Sequence, residues 1–174
     1  SGEGSRTSRA GIVLSGLWQN NMLTTGQLML PNGEAYTGPL FAPSGRAVAA
    51  GLVDWLTLQA TQEQAHAQFF LGSVMLDFDS PAADLQSAEF WLNKAATAGV
   101  AEAQYRLAQL LMEQDRTQAV QWLQAAAAQN HPGAHATLGE MLHTGVHFSQ
   151  DHRLALEHYI TASELGSLSA TNNL

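Results

Sequence analysis

Ala67-Leu71-Gly72, at residues 67, 71 and 72, returns as Ala103-Leu107-Ala108 and again as Ala134-Leu138-Gly139. Behind each triplet a second pattern follows. Ala88-Trp91-Ala95-Ala96-Gly99 returns as Ala119-Trp122-Ala126-Ala127-Asn130, and more loosely as Ala155-His158-Ala162-Ser163-Gly166. Equivalent positions are 36, 31 and 36 residues apart, the last step reaching Ala170. A self-similar period of this size marks a stack of small supersecondary units, each burying its face against its neighbours.

The repeated residues have physical jobs. The pattern predicts three helix pairs, over 63–76 with 84–97, 100–113 with 115–129, and 132–143 with 151–164. Small residues at Gly72, Ala108 and Gly139 let the two helices of a pair approach closely. Leu71, Leu107 and Leu138 fill the space beside them. Trp91 and Trp122 are expected to plug the gap to the neighbouring repeat. Asp84, Asp115 and Asp151 stand four residues before the repeated alanine, where a side-chain oxygen caps the second helix. Gly99, Asn130 and Gly166 stand at its end, and tolerate the left-handed conformation there.

Working outward toward the N-terminus, 46–62 reads as a capping helix with Val48, Leu52, Trp55, Leu56 and Ala60 on one side. Trp55 lies 36 residues before Trp91, in register with a second helix. Pro43-Ser44-Gly45 punctuates the change from strand to helix. Residues 11–45 read as short strands at Ile12-Val13-Leu14, Leu17-Trp18, Gln27-Leu28-Met29-Leu30 and Glu34-Ala35-Tyr36. Asn20-Asn21 and Asn32-Gly33 read as the turns, both residues of Asn-Gly accepting positive φ. Residues 1–10, small and polar, read as a flexible leader without a role in the fold. The fold class is therefore mainly α, a solenoid of antiparallel helix pairs over 46–174 behind a small β-hairpin or meander over 11–45. Its repeats run from about 63–99, 100–130 and 131–166, and a partial fourth begins at 167.

Two resemblances follow from these residues. The segment from 63 onward resembles the Sel-one-like repeat, a branch of the tetratricopeptide superfamily. The match rests on Ala101-Glu102-Ala103 through Leu107, on Ala119 to Ala126 around Trp122, and on the loop residues Gly145, Phe148, Gln150, Asp151 and Ala155. The usual tyrosine of that pattern is replaced by Met75, Leu111 and Leu142. Gly16, Trp18, Gly26, Asn32, Gly33, Tyr36 and Gly38 resemble the MORN repeat over about one and a half units; a plain β-meander is the alternative reading. The first resemblance implies a right-handed superhelix and a bacterial adaptor, with the cell envelope or periplasm favoured over the cytoplasm.

Composition narrows the function. The 174-residue chain carries a formal charge of −8, with Lys94 and six arginines as its cations. A nucleic-acid binder needs a basic face to neutralise phosphates, and an anionic membrane asks for the same, so both partners are disfavoured. The absence of cysteine excludes disulfides and thiolate metal sites. No apolar run approaches the ~20 residues of a membrane helix. His131 and His135, and His143 and His147, are each four apart, but Pro132-Gly133 and Gly145 interrupt the spacing, so no metal or other cofactor is assigned. No Gly-x-Ser-x-Gly elbow and no phosphate-binding glycine pattern is present, and the protein reads as non-catalytic.

What remains is binding. The resemblance implies a concave face lined by the first helices, which takes a protein or peptide partner. The positions expected to project there are His66, Phe69 and Ser73, then Glu102, Tyr105, Gln109 and Glu113, then Glu140 and His143. Phe69 and Tyr105 would anchor a partner inside a polar rim; the competing expectation is that they pack between adjacent first helices. Self-assembly into homo-oligomers and an accessory role in an envelope enzyme or secretion complex are the alternative functions.

Overall fold

The computed structural model describes residues 2–8, 11–19, 22–40, 49–77 and 85–173. The expected cap Asp84, the turn Asn20-Asn21, the break Pro43-Ser44-Gly45 and Val48 lie outside the described residues. The chain divides into two compact units, Ser1–Val100 and Ala101–Leu174.

The first unit opens with four antiparallel strands in sequence order, β1 (Gly2–Thr7), β2 (Val13–Gln19), β3 (Met22–Met29) and β4 (Ala35–Pro39). The expected leader thus supplies a strand, β1, with Gly2 opposite Trp18 and Thr7 opposite Val13. An edge strand needs only backbone hydrogen bonds on one side, so exposed polar side chains are no obstacle to it. Gly11, at φ 76°, helps turn the chain between β1 and β2; Ser8 N donates to Ile12 O and Gly11 N donates to Ser8 O. The two short strands expected around Leu14 and Trp18 form one strand, with a bulge between Leu17 and Trp18.

The Asn32-Gly33 hairpin closes differently from the two-residue form. Gly33 N donates to Leu30 O, making a turn with Pro31 and Asn32 at its centre. Only Gly33 then takes positive φ, at 90°, and Leu30 N reaches Glu34 O. Pro31, with its fixed φ, favours this three-residue loop. Asn32 completes it, accepting from Glu34 N at 3.1 Å and donating to Gln64 at 2.8 Å. One row of the sheet consists of glycine throughout: Gly4, Gly16, Gly26 and Gly38 lie opposite one another on successive strands.

Helices follow as α1 (Ala50–Thr61), α2 (Ala65–Asp77) and α3 (Leu85–Thr97). Ile12, Leu28, Leu30 and Leu40 from the sheet region share one core with Leu52, Leu56 and Ala60 of α1 and Ala67, Leu71 and Val74 of α2. Each fully buried leucine contributes about 1.5–3 kcal/mol. Trp55 and Trp91 pack against this core from partly buried positions, and Tyr36 meets Trp55 with ring centres 5.9 Å apart.

The second unit holds α4 (Ala101–Leu111), α5 (Arg116–Ala128), α6 (Pro132–Thr144), α7 (His152–Glu164) and the short α8 (Leu168–Thr171). Helix α4 pairs with α5 and α6 with α7, as α2 does with α3 in the first unit. Asp115 accepts from Gln118 N and Asp151 from Leu154 N, both at 3.0 Å, so the described caps are the expected ones. Gly99, Asn130 and Gly166 all have positive φ, at 92°, 58° and 90°. At each of these ends two crossed bonds close the helix: Asn130 N reaches Ala127 O and His131 N reaches Ala126 O, with Gly99/Val100 and Gly166/Ser167 doing the same. The close approach within pairs is equally plain. A Cβ on Gly72 would lie 2.8 Å from Leu92 Cγ, and one on Gly139 2.9 Å from the Tyr159 ring.

Candidate functional site

In the first unit, His66, Phe69 and Ser73 lie on α2. All three are partly buried; Phe69 packs against the core and the Ser73 hydroxyl is buried without a hydrogen-bond partner. The other six expected residues belong to the second unit. Tyr105 on α4 lies against the start of α6. Its ring stacks on His131 at 4.5 Å between centres, and a Cβ on Gly133 would meet it at 2.7 Å. His131 is fixed in turn, because its Nδ1 accepts from Ala134 N and caps α6. Tyr105 therefore joins adjacent first helices, the packing role weighed against an anchoring one. Gln109 donates to the Tyr105 hydroxyl at 3.0 Å. Gln109, Glu113, Glu140 and His143 are exposed, and Glu102 is half-buried in the first turn of α4. Glu140 also bears on Tyr159, whose phenol titrates above its usual value mainly through burial and secondly through this carboxylate, a hydrogen bond with Asn173 opposing.

Four of the histidines pair across helices instead of along them. His143 meets the His152 ring edge-on at 5.0 Å between centres. His135 on α6 meets His158 on α7, with Nδ1 to Nδ1 at 2.9 Å. Among the described residues no three histidine or carboxylate side chains converge as a metal site would require. Spacing along a single helix does not reveal the His135–His158 contact, yet its signal is in the repeats. Gln68 and Gln104 stand where the third repeat has His135, and Trp91 and Trp122 where it has His158. Gln68 donates to Ala60 O and Gln104 accepts from Gln129, so the position is a buried polar one in the first two repeats and a half-buried polar one at His135. Beside the pair lies a cleft of about 330 Å³, its apolar wall including Leu138, Leu142, Phe148 and Leu154. In the first unit Lys94 lies over Phe90 and Trp91, 5.2 and 5.8 Å from their ring centres. That contact gives the exposed Phe90 a partner.

A family model, the Sel1 repeat, matches residues 65–100, 101–131 and 132–167, one helix pair each. An uncharacterized protein of Neisseria meningitidis serogroup B is 40% identical over 67 residues, 38% of this chain and 14% of that protein. The chain thus spans about one seventh of that curated relative. A protective antigen of uropathogenic Escherichia coli, described as displaying an SLR fold, matches with TM-score 0.65 and 30% identity over 70% of this chain and 27% of its own. A Sel1 repeat protein from Oxalobacter formigenes matches with TM-score 0.63 and 29% identity over 72% of this chain and 98% of its own. Helicobacter pylori cysteine rich protein B, at 17% identity and TM-score 0.57, shares the fold. With more than half of its length matched by three consecutive units, the chain belongs to the Sel1 repeat family.

Proposed function

We propose that this protein is a non-catalytic adaptor that holds a protein or peptide segment along the first helices of its repeats. Sel1 repeat proteins generally mediate protein–protein interaction. The observation that carries the reading is the Tyr105–His131 stack, which ties α4 to the start of α6 and so makes one supported surface of two first helices. Gln109, Glu113, Glu140 and His143 are exposed on or just beyond these helices, with Glu102 at the start of α4. Tyr105 works here as the floor of the surface and the polar residues as its rim. Three of those rim residues are carboxylates, and a partner segment bearing lysine or arginine complements them. For the first unit, taken by itself, we propose His66, Phe69 and Ser73 on α2 as its contact residues. We also read the N-terminal sheet as MORN-like, supported by the aligned Gly16, Gly26 and Gly38.

Because Phe69 and Tyr105 are packed, removing them confounds binding with stability. The test uses exposed residues: affinity capture from lysate with the intact protein beside a Glu113→Lys/Glu140→Lys variant. A partner captured by the intact protein and lost by the variant, at unchanged melting temperature, is the expected result. A partner retained equally by both overturns the placement on the first helices.

A further inference from the structure

The third repeat departs from the first two at two positions at once, glutamine becoming His135 and tryptophan becoming His158, and those two replacements touch each other. Their ring centres are 5.1 Å apart. That is close to the largest separation two five-membered rings allow with nitrogens at 2.9 Å, so the two Nδ1 atoms point head-on. A head-on contact between two imidazoles is a hydrogen bond only while one nitrogen carries a proton and the other keeps its lone pair. We propose that His135 and His158 form a proton-sensitive clasp between α6 and α7, closed while at most one of the two rings is charged and released when both are.

The surroundings support release in acid. The His135 Nε2 is buried and makes no well-formed hydrogen bond, the Ala127 carbonyl being the one backbone group that favours its charged form. The cleft that both histidines line is closed from α5 by Gln124, Ala127 and Ala128, which carry no charge, and from the loop before α7 by Phe148. The lining of the adjoining cleft contains no carboxylate to offset a second positive charge. Burial holds both imidazoles below their ordinary pKa. For His135 the Ala127 carbonyl opposes the shift; for His158 the charge of His135 adds to it and Glu157 opposes it. The sign follows: the opened pair takes up protons that the closed pair resists, so the clasp is fully effective above the free value of 6.5 and weakens as pH falls below it through the lowered values.

Two other histidine contacts on these helices could respond to acid, the His131 cap of α6 and the His143–His152 contact, so the test must separate them. Amide exchange of the full chain is measured at pH 7.5, 6.5 and 5.5 and expressed as protection factors. In the native sequence, protection in α6 and α7 should fall by about tenfold per pH unit below 6.5 for each proton taken up on opening. A His135→Gln/His158→Trp variant restores the residues of the first two repeats and keeps His131, His143 and His152. Its protection in α6 and α7 should fall less steeply than in the native sequence, by about tenfold per pH unit for each proton the pair no longer takes up, any remaining slope belonging to His131, His143 and His152. If the variant does not fold, His158→Gln replaces it, and its protection should fall less steeply with pH than in the native sequence, since one lowered ring, His135, remains. Proton NMR titration of the native protein should place the midpoints of both rings below 6.5. Protection that is flat in the native protein, that falls equally in the variant, or a midpoint above 6.5 for either ring overturns the clasp.

Discussion

Gly139 offers a sharp test of how the repeats pack. It is buried in α6 against α7, where a Cβ would lie 2.9 Å from two Tyr159 ring carbons and 3.2 Å from the Ala155 carbonyl. Tyr159 is itself buried, at 5% exposure, so its ring has little room to withdraw. Forcing a methyl into such a contact costs about 1–3 kcal/mol. Replacing a helical glycine by alanine returns about 1 kcal/mol of propensity. Gly139→Ala should therefore destabilise by about 1 kcal/mol net, against the propensity trend. The second repeat shows that the conflict can be relieved with leucine opposite, since Ala108 stands at the same position with Leu123 in place of Tyr159, although in the first repeat a Cβ on Gly72 would still lie 2.8 Å from Leu92. In a Tyr159→Leu background the same Gly139→Ala change should stabilise by up to about 1 kcal/mol, giving a coupling of about 2 kcal/mol. Urea unfolding followed by circular dichroism reads this as opposite shifts of midpoint at constant slope. A rise in midpoint for Gly139→Ala alone, or the same shift in both backgrounds, would refute the packing argument.

The caps and the buried phenol supply further tests. Asp115→Ala and Asp151→Ala should each cost about 1 kcal/mol by urea unfolding, and their effects should add, because they cap different helices. Asparagine at either position should recover most of the loss. Ultraviolet titration should find Tyr159 ionising above 10, and Glu140→Gln should lower that value without restoring it to 10, burial being the larger cause. The raised value adds stability that is fully present below pH 10 and is lost as pH rises through the folded-state value.

Much of the helical part could be read from sequence because its determinants are local. Asp115 and Asp151 act within three residues of themselves, and Gly99, Asn130 and Gly166 need only a left-handed conformation at one place. The small residues at 72, 108 and 139 could be understood from periodicity alone. Strand β1 could not, because an edge strand with polar side chains has no hydrophobic alternation to show. The Asn32-Gly33 turn misled for a different reason: Pro31 before it selects a loop in which glycine alone takes positive φ. Tyr105 shows the limit of reading faces from spacing. Its position on α4 was legible, but whether its ring met solvent or the next first helix depended on Gly133 leaving room across the repeat boundary. His135 and His158 are 23 residues apart on different helices, and distance along one helix could not pair them. Comparing repeats position by position does single them out.

The central claim is that the first helices of the repeats form the docking surface. The most direct measurement is amide exchange of the protein alone and bound to its captured partner, resolved helix by helix in the second unit. Binding on the proposed surface should slow exchange in α4 and α6 and leave α5 and α7 unchanged. Protection confined to α5 and α7, or to strands β1–β4, would contradict the account.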